Sequence, residues 1–326
     1  MADSPAPSDA VPAPVGKVSP PPHPTHRRVP LPNRFPKDPH EDPEAATLQA
    51  AIFKSPTYRE AHRDLDFLSG PDSRGVRLML DYDKAETALR RAGVESTIVV
   101  FGSTRLREPR LAQASLLKAQ KAARQHPEDP ELQRAVAVAE RLAAKSRYYE
   151  TARDFGRLVA RSQKNFPTPR LWIMTGGGPG IMEAANRGSF DVGIPSVGLN
   201  ITLPHEQYPN PYIQPDLCFL FHYFAVRKLH FLLRARALVV FPGGYGTCDE
   251  LFETLEMIQT RVMPPVPVVL VGASYWRQAL HIEFLADEGV IDPEDRELFW
   301  YAETAEEIWE GISEWHRLNG TPLPIS

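Results

Sequence analysis

Apolar positions in this 326-residue chain gather in short continuous runs rather than in strict alternation. The runs occupy residues 97–101, 171–174, 196–201, 217–221, 237–241 and 266–271. Uninterrupted apolar runs of this length predict strands covered on both faces, as in a parallel sheet. Helix-length segments lie between most of them, at 180–190, 225–235 and 248–260. Strand and helix in turn predict an α/β fold, a doubly wound and mostly parallel sheet with flanking helices. Segments 274–288 and 304–318 read as closing helices, the second opening on a capping box from Thr304 to Glu307.

Two regions depart from this rhythm. Residues 106–163 read as two helices split by His126-Pro127-Glu128-Asp129-Pro130, with Asp129 as N-cap and Pro130 as the first helical residue. Apolar spacing at Tyr149, Ala152, Phe155 and Val159 predicts that the end of this segment packs on the sheet. The Ala-rich, charged part, 106–147, is expected to be an inserted helical hairpin, an excursion that helps subunits associate. Ahead of the sheet, residues 46–92 are helical in pattern, with Leu65, Phe67, Leu68, Leu78, Leu80, Tyr82 and Leu89 as apolar positions and a break at Gly70-Pro71.

Composition sharpens the first residues most. Of 33 prolines, 13 lie between Pro5 and Pro43, and large apolar side chains are nearly absent there. Residues 1–45 are therefore expected to be a disordered Pro-rich tail, and 46–326 a single α/β domain. A net charge of −4 argues against nucleic acid or an acidic membrane as main partner. Cys218 and Cys248 are the two cysteines, too few for a disulfide framework or a multi-cysteine zinc site. No run approaches the roughly 20 apolar residues of a membrane span, and no export signal is legible, so a cytoplasmic location is expected.

Candidate chemistry concentrates in two glycine-rich turns, each after a strand and opening a helix. The first is Thr175-Gly176-Gly177-Gly178-Pro179-Gly180; the second is Pro242-Gly243-Gly244-Tyr245-Gly246-Thr247. Free backbone N–H groups at a helix N-terminus attract anions, and absent Cβ atoms allow close approach. Neither turn has the Lys-Ser/Thr ending of a P-loop or the spacing G-x-G-x-x-G, which demotes ATPases and nicotinamide dehydrogenases. Glu250 admits two roles. Thr247-x-x-Glu250 is a capping box; with a phosphate on the same N–H groups, the carboxylate would instead stand beside a sugar, where it stabilises positive charge or polarises water. Cys248 as a nucleophile, Lys228 as a Schiff base, and His205, His222 and His230 as metal ligands are weaker candidates, the histidines lacking ligand spacing.

The motifs GGGPGIMEAANRG (176–188) and PGGYGTCDE (242–250) resemble those of the LOG ("Lonely guy") family of phosphoribohydrolases in its long form, formerly labelled lysine decarboxylase-like. The resemblance covers residues 96–271. It implies a Rossmann-like fold, no metal or redox cofactor, a homo-oligomer of two or more subunits, and hydrolysis of the N-glycosidic bond of a nucleoside 5′-monophosphate such as AMP or a cytokinin ribotide. It further implies Glu250 and Arg227 as catalytic residues, with Glu183 either assisting or favouring its helix dipole. Substrate contacts are implied at Gly102, Ser103, Arg105, Gly177, Gly178, Gly180, Lys228, Gly243, Gly244, Gly246 and Thr247. Arg105 departs from the serine-rich turn of short members. A carrier or sensor of the same fold without turnover is the alternative.

Overall fold

A computed structural model describes residues 21, 23–26, 37, 40–204 and 208–325. Most of the expected Pro-rich tail, and His205, lie outside the described residues. The chain divides into two compact units, one ending at Phe67 and one spanning Leu68–Ser326. In the first, helix α1 (Ala45–Lys54) buries none of its side chains. Helix α2 (Leu65–Ser69) falls at the division.

The second unit holds a seven-stranded sheet in the order β4-β3-β2-β1-β5-β6-β7, and each neighbouring pair is parallel. The strands are β1 (Thr97–Phe101), β2 (Trp172–Thr175), β3 (Val197–Ile201), β4 (Cys218–Phe221), β5 (Ala235–Val240), β6 (Val268–Val271) and β7 (Trp300–Ala302). This is the expected Rossmann-like α/β fold. Six strands coincide with the apolar runs. The seventh spans three residues and is buried at Ala302 alone, too short and too exposed to show as a run.

Alternate residues of β1 feed two cores, as a strand covered on both faces requires. Ile98 and Val100 join one side with α6 (Arg147–Arg161), α7 (Ile181–Asp191) and α12 (Ala305–Leu318). Val99 and Phe101 join the other with α3 (Arg74–Arg91), α8 (Phe224–Leu232), α9 (Tyr245–Gln259) and α10 (Ala273–Ala279). Of the apolar positions expected on α3, Leu89 is buried, Leu78 and Tyr82 are half-buried, with Tyr82 against the His230 ring at 5.1 Å, and Leu80 stays exposed.

The 106–163 segment forms three helices rather than two: α4 (Pro109–Gln125), α5 (Pro130–Ala144) and α6. Asp129 caps α5 as expected, accepting from the amides of Glu131 and Leu132. The break before α6 carries no Gly or Pro. Lys145 and Ser146 both keep right-handed backbone angles, and the Ser146 hydroxyl donates to Ala143 O at 2.7 Å, so nothing in the sequence marks the division. Tyr149, Ala152, Phe155 and Val159 are all fully buried on α6, as their spacing predicts. The α4–α5 pair buries only Ala112 and Ala123. The expected 274–288 helix is likewise divided, into α10 and α11 (Ile282–Asp287), by extended backbone at Leu280.

Helices α6 and α7 approach so closely that glycines are obligatory at the crossing. A Cβ on Gly156 would overlap Ala185 O, and one on Gly188 would overlap Arg153 O. Asp191 closes the pair, accepting from Arg153 Nε at 2.7 Å and Arg157 Nε at 2.8 Å. Because backbone oxygens cannot step aside as side chains do, Gly156→Val should lower unfolding free energy by about 2–3 kcal/mol. Urea denaturation followed by circular dichroism measures this; an unchanged midpoint would contradict the close packing.

Candidate functional site

Strands β1 and β5 are neighbours at the centre of the sheet, and their pairing outlasts the strands. Phe241 N donates to Phe101 O at 2.8 Å and Ser103 N to Pro242 O at 2.9 Å. Beyond that point the two chains diverge, leaving the crevice in which doubly wound sheets hold ligands. A cavity of about 630 Å³ opens there. Its walls include Gly102, Ser103 and Arg105 from the end of β1, Gly243, Gly244, Gly246 and Thr247 from the second glycine turn, and Arg227 and Glu250.

The second turn is built as an anion cradle. Helix α9 starts at Tyr245, with Gly244 as its N-cap and no side chain capping it. Gly244 O accepts from the amides of Thr247 and Cys248, both at 3.0 Å. The amides of Tyr245 and Gly246 have no acceptor among the described residues and lie at the positive end of the helix. The Tyr275 hydroxyl, also on the cavity wall, holds the turn by donating to Gly243 O at 2.6 Å.

This start of α9 corrects the capping-box alternative. Thr247 and Glu250 sit inside the first turns of the helix, so the carboxylate caps nothing. Glu250 is 6% exposed and has neither a hydrogen bond nor an ion pair among the described residues. Burial pushes its pKa up to about 7, against the opposing pull of Arg227 and then Lys228. Arg227 Nε donates to Leu199 O at 2.7 Å, and its guanidinium lies over the Phe231 ring at 5.0 Å. Desolvation lowers the Arg227 pKa, and Glu250 counteracts it. The two charges therefore influence each other across the cavity without closing into a salt bridge.

The first glycine turn plays a different part. Gly177, Gly178 and Gly180 are buried and do not line the cavity. A Cβ on Gly176 would lie 2.6 Å from Arg227 Nη2, so this glycine clears the space that the guanidinium occupies. Gly180, at φ +75°, lies against the backbone of Ser103 and Thr104. The Gly177 and Gly178 carbonyls accept from the Asn210 side chain at 3.2 and 3.1 Å. Substrate contacts are expected at Gly177, Gly178 and Gly180; in the structure they pack against Asn210 and the end of β1, away from the cavity wall, and Gly176 makes room for Arg227.

Two further candidates stand outside the cavity. Lys228 turns away to Asp249 at 2.9 Å and Glu253 at 3.2 Å. Glu183 accepts from the Tyr149 hydroxyl at 2.8 Å; burial, then Glu183, raises the Tyr149 pKa. Burial also raises the Cys248 thiol, the opposite of an activated nucleophile. His222 is exposed against Tyr223. His230 is buried with Nδ1 on Val226 O at 2.8 Å. Among the described residues no three His, Cys, Asp or Glu side chains gather as metal ligands.

Several lining residues had no motif to announce them: Thr104, Leu106, Tyr275, and Arg141, Leu142 and Lys145 from the hairpin. The one available signal was the i, i+4 spacing of Arg141 and Lys145, which places two cations on one helix face.

A family model described as "Possible lysine decarboxylase" matches residues 182–312. A probable cytokinin riboside 5′-monophosphate phosphoribohydrolase of Oryza sativa subsp. japonica is 31% identical over 90 residues, 27% of this chain and 43% of the relative. A cytokinin riboside 5′-monophosphate phosphoribohydrolase of Arabidopsis thaliana is 28% identical over 176 residues, 52% of this chain and 77% of the relative. The match to the rice protein thus spans less than half of that relative's length. Among solved structures, the Moco carrier protein from Chlamydomonas reinhardtii aligns with a TM-score of 0.40 and 15% identity, over 69% of this chain and 99% of the other. The resemblance to the LOG family read from the glycine turns is borne out, and residues 182–312, which hold Arg227, the second turn and Glu250, carry it.

Proposed function

We propose that the chain hydrolyses the N-glycosidic bond of a nucleoside 5′-monophosphate, AMP or a cytokinin ribotide, to free base and ribose 5-phosphate. The observation that carries this is the buried Glu250 carboxylate, unpartnered beside an open helix N-terminus and across from Arg227. The names of the rice and Arabidopsis relatives point the same way. With the 5′-phosphate on the amides of Tyr245 and Gly246, the sugar stands near Glu250. Departure of the base leaves positive charge on the ribose, which an ionised carboxylate in a dry site stabilises strongly. The base leaves with the bonding electron pair, water bonds to C1′, and the water proton passes to the carboxylate and on to the base. Arg227, fixed by Leu199 O, orients the substrate and keeps part of the Glu250 population ionised.

Two outcomes test this. Glu250→Gln should reduce base release from AMP, followed by chromatography, by about a thousandfold or more while AMP still binds; near-normal release would refute the assignment. In the unmutated protein kcat/KM should climb about tenfold per pH unit and level off above the Glu250 pKa of about 7, because the ionised form acts.

The same raised pKa makes stability fall with pH. Glu250 binds its proton more tightly folded than unfolded, so its contribution is fully present below about 4.5 and lost as pH passes 7. Above pH 7, Glu250→Gln should therefore be the more stable protein, by at most about 3 kcal/mol, with the gap closing toward pH 4.5 in thermal melts. A variant less stable than the parent at pH 8 would show that the carboxylate has a partner.

A further inference from the structure

Beneath the first glycine turn, outside the cavity wall, four buried polar side chains form one closed network: Thr175, Asn186, Ser196 and Asn210. The Thr175 hydroxyl accepts from Gly177 N at 3.0 Å and donates to Asn186 Oδ1 at 2.7 Å. Asn186 Nδ2 donates to Ser196 Oγ at 2.9 Å, and Asn210 Nδ2 donates to Asn186 Oδ1 at 3.0 Å. Asn210 also holds the turn through its backbone, N donating to Gly177 O at 2.8 Å, while its Oδ1 accepts from Tyr212 N at 3.2 Å. A buried network whose side-chain amides are all bonded fixes geometry more than it adds net stability. What it fixes here is the segment 176–178.

That segment is a wall for Arg227. A Cβ on Gly176 would meet Nη2 at 2.6 Å. Strand β2 pairs with β3 only as far as Thr175 opposite Gly198, and Leu199, the next residue of β3, gives its carbonyl to Arg227 Nε. Both contacts lie on the β2–β3 side of β1, whereas Glu250 follows β5 on the other side. The turn therefore stands behind the guanidinium and keeps it from receding from Glu250.

We propose that Thr175, Asn186 and Asn210 are positioning residues, which through the first glycine turn hold the Arg227 guanidinium in place opposite Glu250. Their effect on turnover rests on the hydrolysis proposed above; the placement of Arg227 does not.

Carbon-13 NMR titration of the Glu250 carboxyl in the full chain, its signal assigned by loss in Glu250→Gln, tests the placement. Arg227 pulls the Glu250 pKa down against burial; Lys228, Glu253 and Asp249 are the other charges that bear on it, and they are tied to one another at 2.9 and 3.2 Å. Asn210→Ala lets the guanidinium recede and should raise the Glu250 pKa from about 7 by about one unit. Thr175→Val, which keeps the shape of a strand residue, should shift it in the same direction if the first variant folds poorly. Ile312→Ala removes core packing on α12 and should lower the melting temperature without moving that pKa. In Asn210→Ala, kcat for AMP at pH 6 should fall about tenfold with KM little changed, because the amides of Tyr245 and Gly246 are untouched. An unmoved or lowered pKa in both network variants, or an equal rise in Ile312→Ala, would overturn the positioning role. A raised pKa in a protein that releases no base refutes the hydrolase and keeps the positioning, whereas base release with an unmoved pKa refutes the positioning alone.

Discussion

Everything at the site hangs on the pairing of β1 with β5. The strands are neighbours in space although three others separate them in sequence, and their hydrogen bonds continue to Ser103 and Pro242. Parallel strands from different parts of the chain must send their continuations to different places. Here one enters the turn 102–105 and the long insertion, while the other enters the second glycine turn and α9. The crevice is a consequence of topology, and the residues that line it are those that happen to leave the sheet at its edge.

Within that crevice the central tension is a carboxylate removed from water without a partner. Burial opposes the charge on Glu250, and Arg227 offsets only part of that cost. Had the two closed into a salt bridge, both would be satisfied and neither free for a ligand. The geometry prevents this by fixing Arg227 through Nε on Leu199 O and Glu250 on the rigid body of α9. A cationic sugar between them would supply what the folded protein lacks, the general sign of a site whose stability has been traded for function.

Six of the strands and the two glycine turns were legible in the sequence because continuous apolar runs and strand-glycine-helix junctions are local signals. The capping-box alternative for Glu250 was a local signal too, but it depended on where α9 begins, and Gly244 rather than a Ser or Thr precedes the helix. The two glycine turns look equivalent in sequence. They differ in space because the second lines the cavity, while the first is packed against Asn210, Arg227 and the end of β1. Lys228 and Glu183 show the same limit from the other side: their partners Asp249, Glu253 and Tyr149 are set by helix packing that no spacing rule reveals.

The sequence marks the hairpin α4–α5 as an excursion, yet its place in the chain gives it a share in the cavity. It is inserted directly after the turn that leaves β1, so it starts at the crevice edge. Its outer length buries only Ala112 and Ala123, too little to hold it rigidly on its own. The final turn of α5 is different, because it runs into α6 through buried Ser146, and α6 is pinned to the sheet by Tyr148, Tyr149 and Phe155. Arg141 and Lys145 occupy that anchored turn. Cations on the free end of such a hairpin would be averaged over many positions and worth little to a ligand; on the anchored end they face the cavity with their entropy already partly lost, the condition under which a partly exposed charge contributes to binding.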